Sequence, residues 1–513
     1  MIGWLALAVA LAGILVEGCT IPVALPAPRP ARALASAGFA LALAGLLLLL
    51  GGRPVSAAIA AVALMAAVVA VSNAKHRAIR EPLVFVDFAM LGQVLRHPHV
   101  FITWVGVLAS LAAAAALAGA VAAAVLLETP LPGWLGDHTG GRLGLLLAVL
   151  AGLAALPVVA RRPLVAAGWA LRPSLDARTD VERFGLLGTL LLTTLLSLDG
   201  APARPAPVPR TPAGPRPAGP SVVAVQLESF FDVRLMDRRI APGLLPCFDA
   251  CGAGAVQRGR LEVPAWGYTQ RSEFAFLTGL DERALGVDRF NPYARFARRP
   301  VWSIAHELRA RGYRTVCIHP FHGTFFGRDQ VVANLGFDRF LDIAAFAGAP
   351  HFGPYVADAA IADKVIELLG EPGPPLFVFV ITIESHGTFR RGRLPAHELA
   401  KVGDGLADLT EPVLSYLRHL VNADRMIGRL AARLEQAGDG VLCCYGDHLP
   451  SFPALFRRNG YRDGRTDYLI WRPGHDRPPE LRDIGIRSLS GALLATVDAA
   501  AGAAQRSVAS MSA

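Results

Sequence analysis

Long apolar runs broken by short polar or basic stretches fill the first two hundred residues of the chain. They lie near 3–24, 33–51, 55–73, 102–126 and 143–160. Each is close to the roughly 20 residues that a bilayer core asks of a helix. Small residues are frequent in them, which suits close helix packing in lipid. A sixth stretch, FGLLGTLLLTTLLSL at 184–198, is shorter and either spans or lies in the interface as an amphipathic helix. The pattern predicts a polytopic α-helical membrane domain of five or six helices over 1–198. The first run has no basic leader and is followed by more apolar runs, so it reads as an uncleaved anchor rather than a signal peptide.

The pattern then changes twice. Residues 199–220 (DGAPARPAPVPRTPAGPRPAGP) are Pro-rich, which predicts a semi-extended linker. From 221 to about 500, apolar runs too short for a membrane alternate with helical patterns. The runs are SVVAVQLES (221–229), RTVCIHP (314–320), LFVFVITIESHG (376–387) and GVLCCYGDH (440–448). Near-continuous apolar character predicts strands buried on both faces, as in a parallel sheet. The clearest helical patterns are 300–313, 358–370 and 415–438. This alternation predicts an α/β domain with a mostly parallel central sheet and helices on both faces. Residues 501–513 read as a disordered tail.

Charge sets orientation more than chemistry. Lys75, Arg77, Arg80 and Arg96 cluster in one loop, and Arg161 and Arg162 follow the fifth run. The positive-inside rule favours six spans with the N-terminus outside. Five spans with the N-terminus inside export the C-terminal half equally well, so both counts put it on the extracytoplasmic (periplasmic) side of the plasma membrane. Formal net charge is +9, with 53% hydrophobic residues. No nucleic-acid motif accompanies the charge, so nucleic acid is not an expected partner and a membrane is. The six cysteines form no CxxC pair, which argues against a zinc ribbon. Cys247 and Cys251, at i, i+4, leave a local disulfide open.

The chemistry collects where the strands stop. The four runs end on Glu228-Ser229, His319, Glu384-Ser385-His386 and Asp447-His448. In open α/β sheets, ligands bind outside the carboxyl ends of the strands. Carboxylates and imidazoles together suit Mn²⁺, Zn²⁺ or Mg²⁺. A hydroxyl candidate is Thr269 in PAWGYTQRSEFAFLTGL (264–280), where a turn meets a helical pattern. There Thr269 is either a helix N-cap or a nucleophile activated by a nearby divalent cation. Glu384 either faces this site or supports His386. Asp424, His306, His419 and Trp266 have ordinary packing or solvated roles as alternatives.

The order Glu228, Thr269, Asp447-His448 resembles the lipoteichoic acid synthase and phosphoglycerol transferase branch of the alkaline phosphatase–sulfatase superfamily. VVAVQLESF and YGDHLPSF look like its first and last motifs, and the resemblance covers most of 221–475. It implies an alkaline-phosphatase-like (sulfatase-like) fold and one divalent metal, manganese first and zinc or magnesium as alternatives. It implies that Glu228, Thr269, Asp447 and His448 hold that metal, with Thr269 the catalytic nucleophile. IHPFHGTFFGRDQVVANLGFDRF (318–340) resembles the family's substrate segment, and ESHGTF its second substrate histidine. His319, Arg328 and His386 would then bind the phosphoglycerol group, with His322 a further neighbour. EPLVFVDF (81–88) resembles a loop of related transferases.

The chain departs from that pattern in places. Gly267-Tyr268 precedes Thr269, which keeps Ser272 and Thr278 as fallback hydroxyls, and Phe326 stands where an indole is usual. No C-x-P-x-R run is present, which disfavours a formylglycine sulfatase. Leu449-Pro450 follow His448, unlike the Asp-His-Gly-Glu ending of phosphoethanolamine transferases. The implied activity is transfer of phosphoglycerol from phosphatidylglycerol to a cell-envelope glycan or glycerophosphate acceptor through a phosphothreonine. The alternatives are a phosphodiesterase, phosphatase or sulfuric ester hydrolase on the same fold, and a non-catalytic membrane binding module.

Overall fold

The structure, a computed structural model, describes residues 2–22, 30–96, 107–131, 161–198, 219–264, 267–406 and 408–511, with isolated positions between 141 and 151. Most of the expected 143–160 span, the linker up to residue 218 and Trp266 lie outside the described residues. The chain divides into two compact units, Met1–Pro202 and Ala203–Ala513.

The first unit is helical. Its longer helices are Ile2–Gly18, Pro30–Gly51, Pro54–Ile79, Val107–Leu127 and Ala177–Ser197. Among the described residues, two stretches are long and apolar enough to cross a bilayer, Arg32–Leu49 and Pro54–Ile79; Gly3–Gly18 and Leu117–Leu127 are shorter apolar helices. The expected sixth segment is part of a longer helix that breaks at Gly185, where φ is 80°. Glu17 fills the break and accepts the Leu186 N–H through Oε1. A Cβ on residue 185 would lie 2.5 Å from that oxygen, so glycine is required there by both space and backbone. In the 81–88 segment, Lys75 Nζ joins Glu81 at 3.1 Å and Asp87 at 2.6 Å, tying the loop to the preceding helix.

The second unit is built on a nine-stranded sheet. Its strands are β1 (Val222–Leu227), β2 (Ala255–Glu262), β3 (Arg314–Ile318), β4 (Arg339–Leu341), β5 (Leu376–Ile381), β6 (Val441–Gly446), β7 (Thr466–Trp471), β8 (Glu480–Leu481) and β9 (Ile484–Gly485). Their order is β8-β2-β7-β6-β1-β5-β3-β4, with β9 also on β2. The block β6-β1-β5-β3-β4 is wholly parallel, and β7 runs antiparallel to β6 and β2. Every residue of β1, β5 and β6 is buried, which is why these three read as continuous apolar runs. Two apolar layers cover the sheet. One includes Leu417, Leu420, Ile427 and Leu430 of helix Glu411–Ala437, and the other Phe274, Phe276 and Leu277 of helix Thr269–Thr278. The ring of Phe276 stacks between Phe379 of β5, at 5.5 Å, and Tyr445 of β6, at 4.8 Å. That contact seats the start of the Thr269 helix over the strand ends.

The structure corrects the sequence reading in three places. The expected disordered tail continues helix Ile486–Met511, since its Ala-rich sequence favours helix. Cys247 and Cys251 are both free thiols, so the local disulfide is absent. Strands β2, β4, β7, β8 and β9 were not expected: β2 carries four polar side chains among its eight residues, and β4, β8 and β9 have only two or three residues.

Candidate active site

Parallel register brings the chemical residues level. Leu227 pairs with Gly446, Gln226 with Ile381 and Ile318 with Val380. The residues just beyond these pairs are Glu228, Asp447-His448, Glu384–His386 and His319, all at one edge of the sheet. Their proximity is a consequence of strand length and register.

The turn after β1 is tightly constructed. Ser229 has φ 55°, a left-handed conformation that costs a non-glycine residue roughly 1–2 kcal/mol. Three hydrogen bonds hold it: Ser229 N–H donates to Asp447 Oδ1 at 2.8 Å, its hydroxyl to Glu228 Oε1 at 2.8 Å, and Tyr416 OH to its carbonyl at 2.7 Å. The turn passes so close to β6 that a Cβ on residue 446 would sit 1.8 Å from the Phe230 carbonyl oxygen. Gly446 is therefore what lets Asp447 reach the Glu228 turn.

Glu228, Asp447 and His448 each offer a ligand atom, all within 4.8 Å of one another, and all three side chains are buried. His448 Nδ1 lies 3.0 Å from the Leu449 carbonyl oxygen, a contact that puts the ring proton on Nδ1. Nε2 then presents a lone pair 3.3 Å from Asp447 Oδ2 and 3.4 Å from Glu228 Oε1. Asp447 Oδ2 is buried with no hydrogen-bond partner. Burial first, and the Glu228 charge second, push the Asp447 carboxyl up to about 7. Burial opposes a charged His448, yet the two carboxylates raise its pKa above 6.5. With His448 neutral, three electron-rich atoms face one another without a donor between them, and that arrangement fits a divalent cation.

Thr269 is buried at the first turn of helix Thr269–Thr278, and its hydroxyl lies 3.4 Å from Glu228 Oε2. The residue at the N-cap position is Tyr268, so a capping role for Thr269 does not hold. Gln226, fixed by Tyr445 OH at 2.8 Å, donates to the Thr269 carbonyl at 3.4 Å and ties the helix start to β1. The fallback hydroxyls are engaged elsewhere: Ser272 donates to the Asp447 carbonyl at 2.7 Å and Thr278 to the Phe274 carbonyl at 2.7 Å.

The expected substrate residues are placed as follows. His319 is buried, with Nδ1 3.0 Å from the Ile381 carbonyl and Nε2 without a partner. Burial first, then the Arg328 charge, hold its pKa well below 6.5, so it is a neutral ring with Nε2 as acceptor. Arg328 is buried against Glu273, donating Nε to Oε2 at 3.1 Å and Nη2 to Oε1. Glu273 also accepts the Tyr293 hydroxyl at 2.6 Å. Arg328 Nη1 makes only a long 3.5 Å contact with the Phe325 carbonyl and is the donor best placed for an anion. His386 is half-buried, with Nδ1 2.7 Å from the Gly387 carbonyl and Tyr355 OH 3.4 Å away. Burial lowers its pKa. His322 is exposed and packs edge-on against Phe321.

Glu384 points away from these groups. Its carboxylate accepts Asp358 N–H at 2.7 Å, His419 Nδ1 at 2.8 Å and Asn422 Nδ2 at 2.8 Å. Of its two expected roles, the supporting one fits. Asp424 accepts the Cys247 and Phe248 N–H groups at 3.2 and 2.7 Å and so caps helix Pro246–Ala253. His306 stacks on Trp302 at 5.2 Å. Sequence reading named Ser229 without a role and missed Gln226, Glu273, Tyr416 and Arg393; the hydrogen bonds of all five hold the backbone and side chains of the site in place. Only Glu273, four residues after Thr269 on a helix that follows a motif, carried a readable signal.

A parallel-centred α/β sheet with a carboxylate–histidine cluster and a hydroxyl over its strand ends defines the alkaline-phosphatase-like class of esterases and transferases. The sulfatase family model matches residues 240–503, just over half of the chain, and the chain belongs to that family. It is similar to the capsular polysaccharide biosynthesis protein RkpI of Rhizobium meliloti, 29% identical over 82% of this chain and 77% of the relative. It is similar also to a putative cyclic beta-1,2-glucan modification protein of the same organism, 29% identical over 50% of this chain and 41% of the relative. Lipoteichoic acid synthase 1 of Bacillus subtilis is 24% identical over 27% of this chain and 21% of its own. Among solved structures, the phosphoglycerol transferase GacH of Streptococcus pyogenes, in complex with sn-glycerol-1-phosphate, superposes with TM-score 0.45 at 22% identity, over 55% of this chain and 77% of that one. The family resemblance read from the Glu228, Thr269 and Asp447-His448 motifs is thus borne out.

Proposed function

We propose that the protein is a membrane-bound, metal-dependent phosphoglycerol transferase. It moves the phosphoglycerol head group of phosphatidylglycerol to a cell-envelope glycan or glycerophosphate hydroxyl. The observation that carries this reading is the Thr269 hydroxyl 3.4 Å from Glu228 Oε2, beside the buried Glu228–Asp447–His448 cluster. Similarity to a polysaccharide biosynthesis protein and to a glucan modification protein supports the glycan acceptor. Similarity to lipoteichoic acid synthase supports the donor.

A divalent cation held by Glu228, Asp447, His448 and Thr269, manganese in this reading, supplies charge neutralisation and a lowered hydroxyl pKa. Glu228 Oε2, 3.4 Å from the Thr269 hydroxyl, orients it. Thr269 Oγ1 attacks phosphorus and gives up its proton to His386. The bond to the diacylglycerol oxygen breaks, that oxygen takes the proton, and a phosphothreonyl-glycerol remains. The acceptor hydroxyl then attacks the same phosphorus, its proton passes through His386, and Thr269 Oγ1 leaves reprotonated. The Arg328 Nη1 group and the N-terminal turn of the Thr269 helix bind the phosphoryl oxygens. His319 Nε2, a neutral acceptor, suits a hydroxyl of the glycerol group. His386, beyond the neighbouring strand β5 at the same edge of the sheet, exchanges the proton with the leaving or incoming hydroxyl. The apolar helices of 1–198 form a multi-span anchor that keeps this extracytoplasmic domain beside its lipid donor.

The test is release of diacylglycerol from labelled phosphatidylglycerol by the full chain in nanodiscs with Mn²⁺. The wild type releases it and Thr269→Ala does not. Full release by T269A overturns the assignment. Product analysis with and without glycan acceptor separates transfer from hydrolysis.

A further inference from the structure

Behind His386 lies a closed ring of polar groups, with His419 and Glu384 buried and Arg393 and Asn422 half-buried, that neither the metal cluster nor the nucleophile uses. His419 Nδ1 donates to Glu384 Oε1 at 2.8 Å, which fixes its tautomer. Its Nε2 therefore accepts, and Arg393 Nε donates to it at 3.0 Å. Arg393 then grips the backbone of the 384–388 loop. Nη2 donates to the Glu384 carbonyl at 2.8 Å, and Nη1 to the His386 carbonyl at 2.8 Å and the Thr388 carbonyl at 3.3 Å. Asn422 and the Asp358 N–H complete the Glu384 carboxylate.

We propose that Arg393 and His419 are positioning residues that set His386, acting through the carbonyls of Glu384, His386 and Thr388. Three donor–acceptor links, His419 to Glu384, Asn422 to Glu384 and Arg393 to His419, join the helix Glu411–Ala437 to the 384–393 segment that carries His386, and each is directional. Aromatic rings clamp the same cation. The Arg393 guanidinium lies 4.5 Å from the Phe389 ring centre and 5.7 Å from that of Tyr355. Tyr355 packs edge-on against the His386 ring at 5.7 Å. Both the backbone and the ring of His386 are thus referenced to one guanidinium. Partly buried carbonyls of a loop need such donors, and a planar fork meets three of them where an ammonium meets fewer. This inference rests on the proposed role of His386 in phosphoryl transfer.

Glutamine and phenylalanine at 419 separate the bonding role from packing. Glutamine can donate to Glu384 and accept from Arg393; phenylalanine fills the space and does neither. In nanodiscs with phosphatidylglycerol and Mn²⁺, His419→Phe and Arg393→Ala should each lower the turnover number about 10- to 100-fold. KM and Mn²⁺ affinity should change little. H419Q should recover most of the activity, and guanidinium ion should partly rescue R393A. The second readout is independent of turnover: the His386 ring resonance, assigned by its loss in H386A, should shift and broaden in H419F and R393A but not in H419Q. Equal activity and an unchanged His386 signal in H419F and H419Q overturn the inference. So does equal loss in both variants in step with thermal stability. A wild type inactive on phosphatidylglycerol counts against the proposed function instead, and the resonance arm still decides the positioning.

Discussion

His448 Nε2 stands 3.3 Å from Asp447 Oδ2 and 3.4 Å from Glu228 Oε1 while its own ring proton is turned to the Leu449 carbonyl. Lone pairs facing one another in a buried pocket destabilise the fold until a cation or proton lies between them. The expected outcome is that Mn²⁺ or Zn²⁺ raises the melting temperature of chelator-treated protein, with stabilisation growing as RT ln(1 + [M]/Kd). Asp447→Asn and His448→Ala should weaken binding by at least about 100-fold. Calorimetric titration measures this directly. Unchanged metal affinity in both variants removes the cluster from consideration as the metal site.

Arg328 and Glu273 form a second buried pair, with Tyr293 as third member. Removing one charge strands the other in a site where neither reaches water. Breaking such a pair costs about 3–5 kcal/mol. Arg328→Ala should therefore lose thermal stability together with activity, and the double variant R328A/E273A should be less destabilised than the sum of the singles. A residue acting only as an anion ligand would lose activity at unchanged melting temperature. Differential scanning of the four proteins distinguishes the two.

Much of this was legible in the chain. The three central strands declared themselves because burial on both faces makes every residue apolar, and helix 358–370 was delimited correctly as Asp358–Gly370. Glu228 and Asp447-His448 stood out as ligand candidates because each follows such a strand directly, whereas Thr269 was read from a turn before a helical pattern. Strand β2 was not legible, since Arg258, Arg260 and Glu262 at half-exposed or exposed positions and a buried Gln257 hide the period. Arg393 was also hidden, as the last of three arginines in RRGR on a loop with no periodicity. Its role follows from long-range bonds to His419, 26 residues away, which no local pattern encodes.

Gly446 gives a prediction about shape alone. A methyl group there would lie 1.8 Å from the Phe230 carbonyl oxygen and 3.1 Å from Thr466 Cβ. The carbonyl belongs to the backbone of the turn that carries Glu228, so strain is relieved only by moving that turn away from Asp447. Gly446→Ala should lower metal affinity and melting temperature together, with overpacking costing about 1–3 kcal/mol or more. A well-folded G446A with wild-type metal affinity would mean the close approach does not set the ligand distance.

The pH dependence of stability follows from histidines held neutral in the site, two buried and one, His386, half-buried. Burial is the first cause that lowers the pKa of His319, His386 and His419 below 6.5. A group whose folded pKa is depressed binds fewer protons folded than unfolded. Stability from it is full above the unfolded value of 6.5 and is lost as pH falls from there toward the folded pKa. For His419 the groups facing it explain the sign. Protonated Nε2 would point a second positive donor at Arg393, with Arg418 also repelling it, and the Glu384 carboxylate offsets only part of this. The protein should therefore destabilise between about pH 6.5 and 5, each such group contributing up to about 1.4 kcal/mol per pH unit. His419→Gln has no titrating ring at that position. Its unfolding free energy, measured by urea melts of the metal-saturated chain in detergent from pH 5 to 8, should fall less steeply with acid than that of the wild type. Parallel curves for the two proteins would show that His419 is not held neutral by this ring.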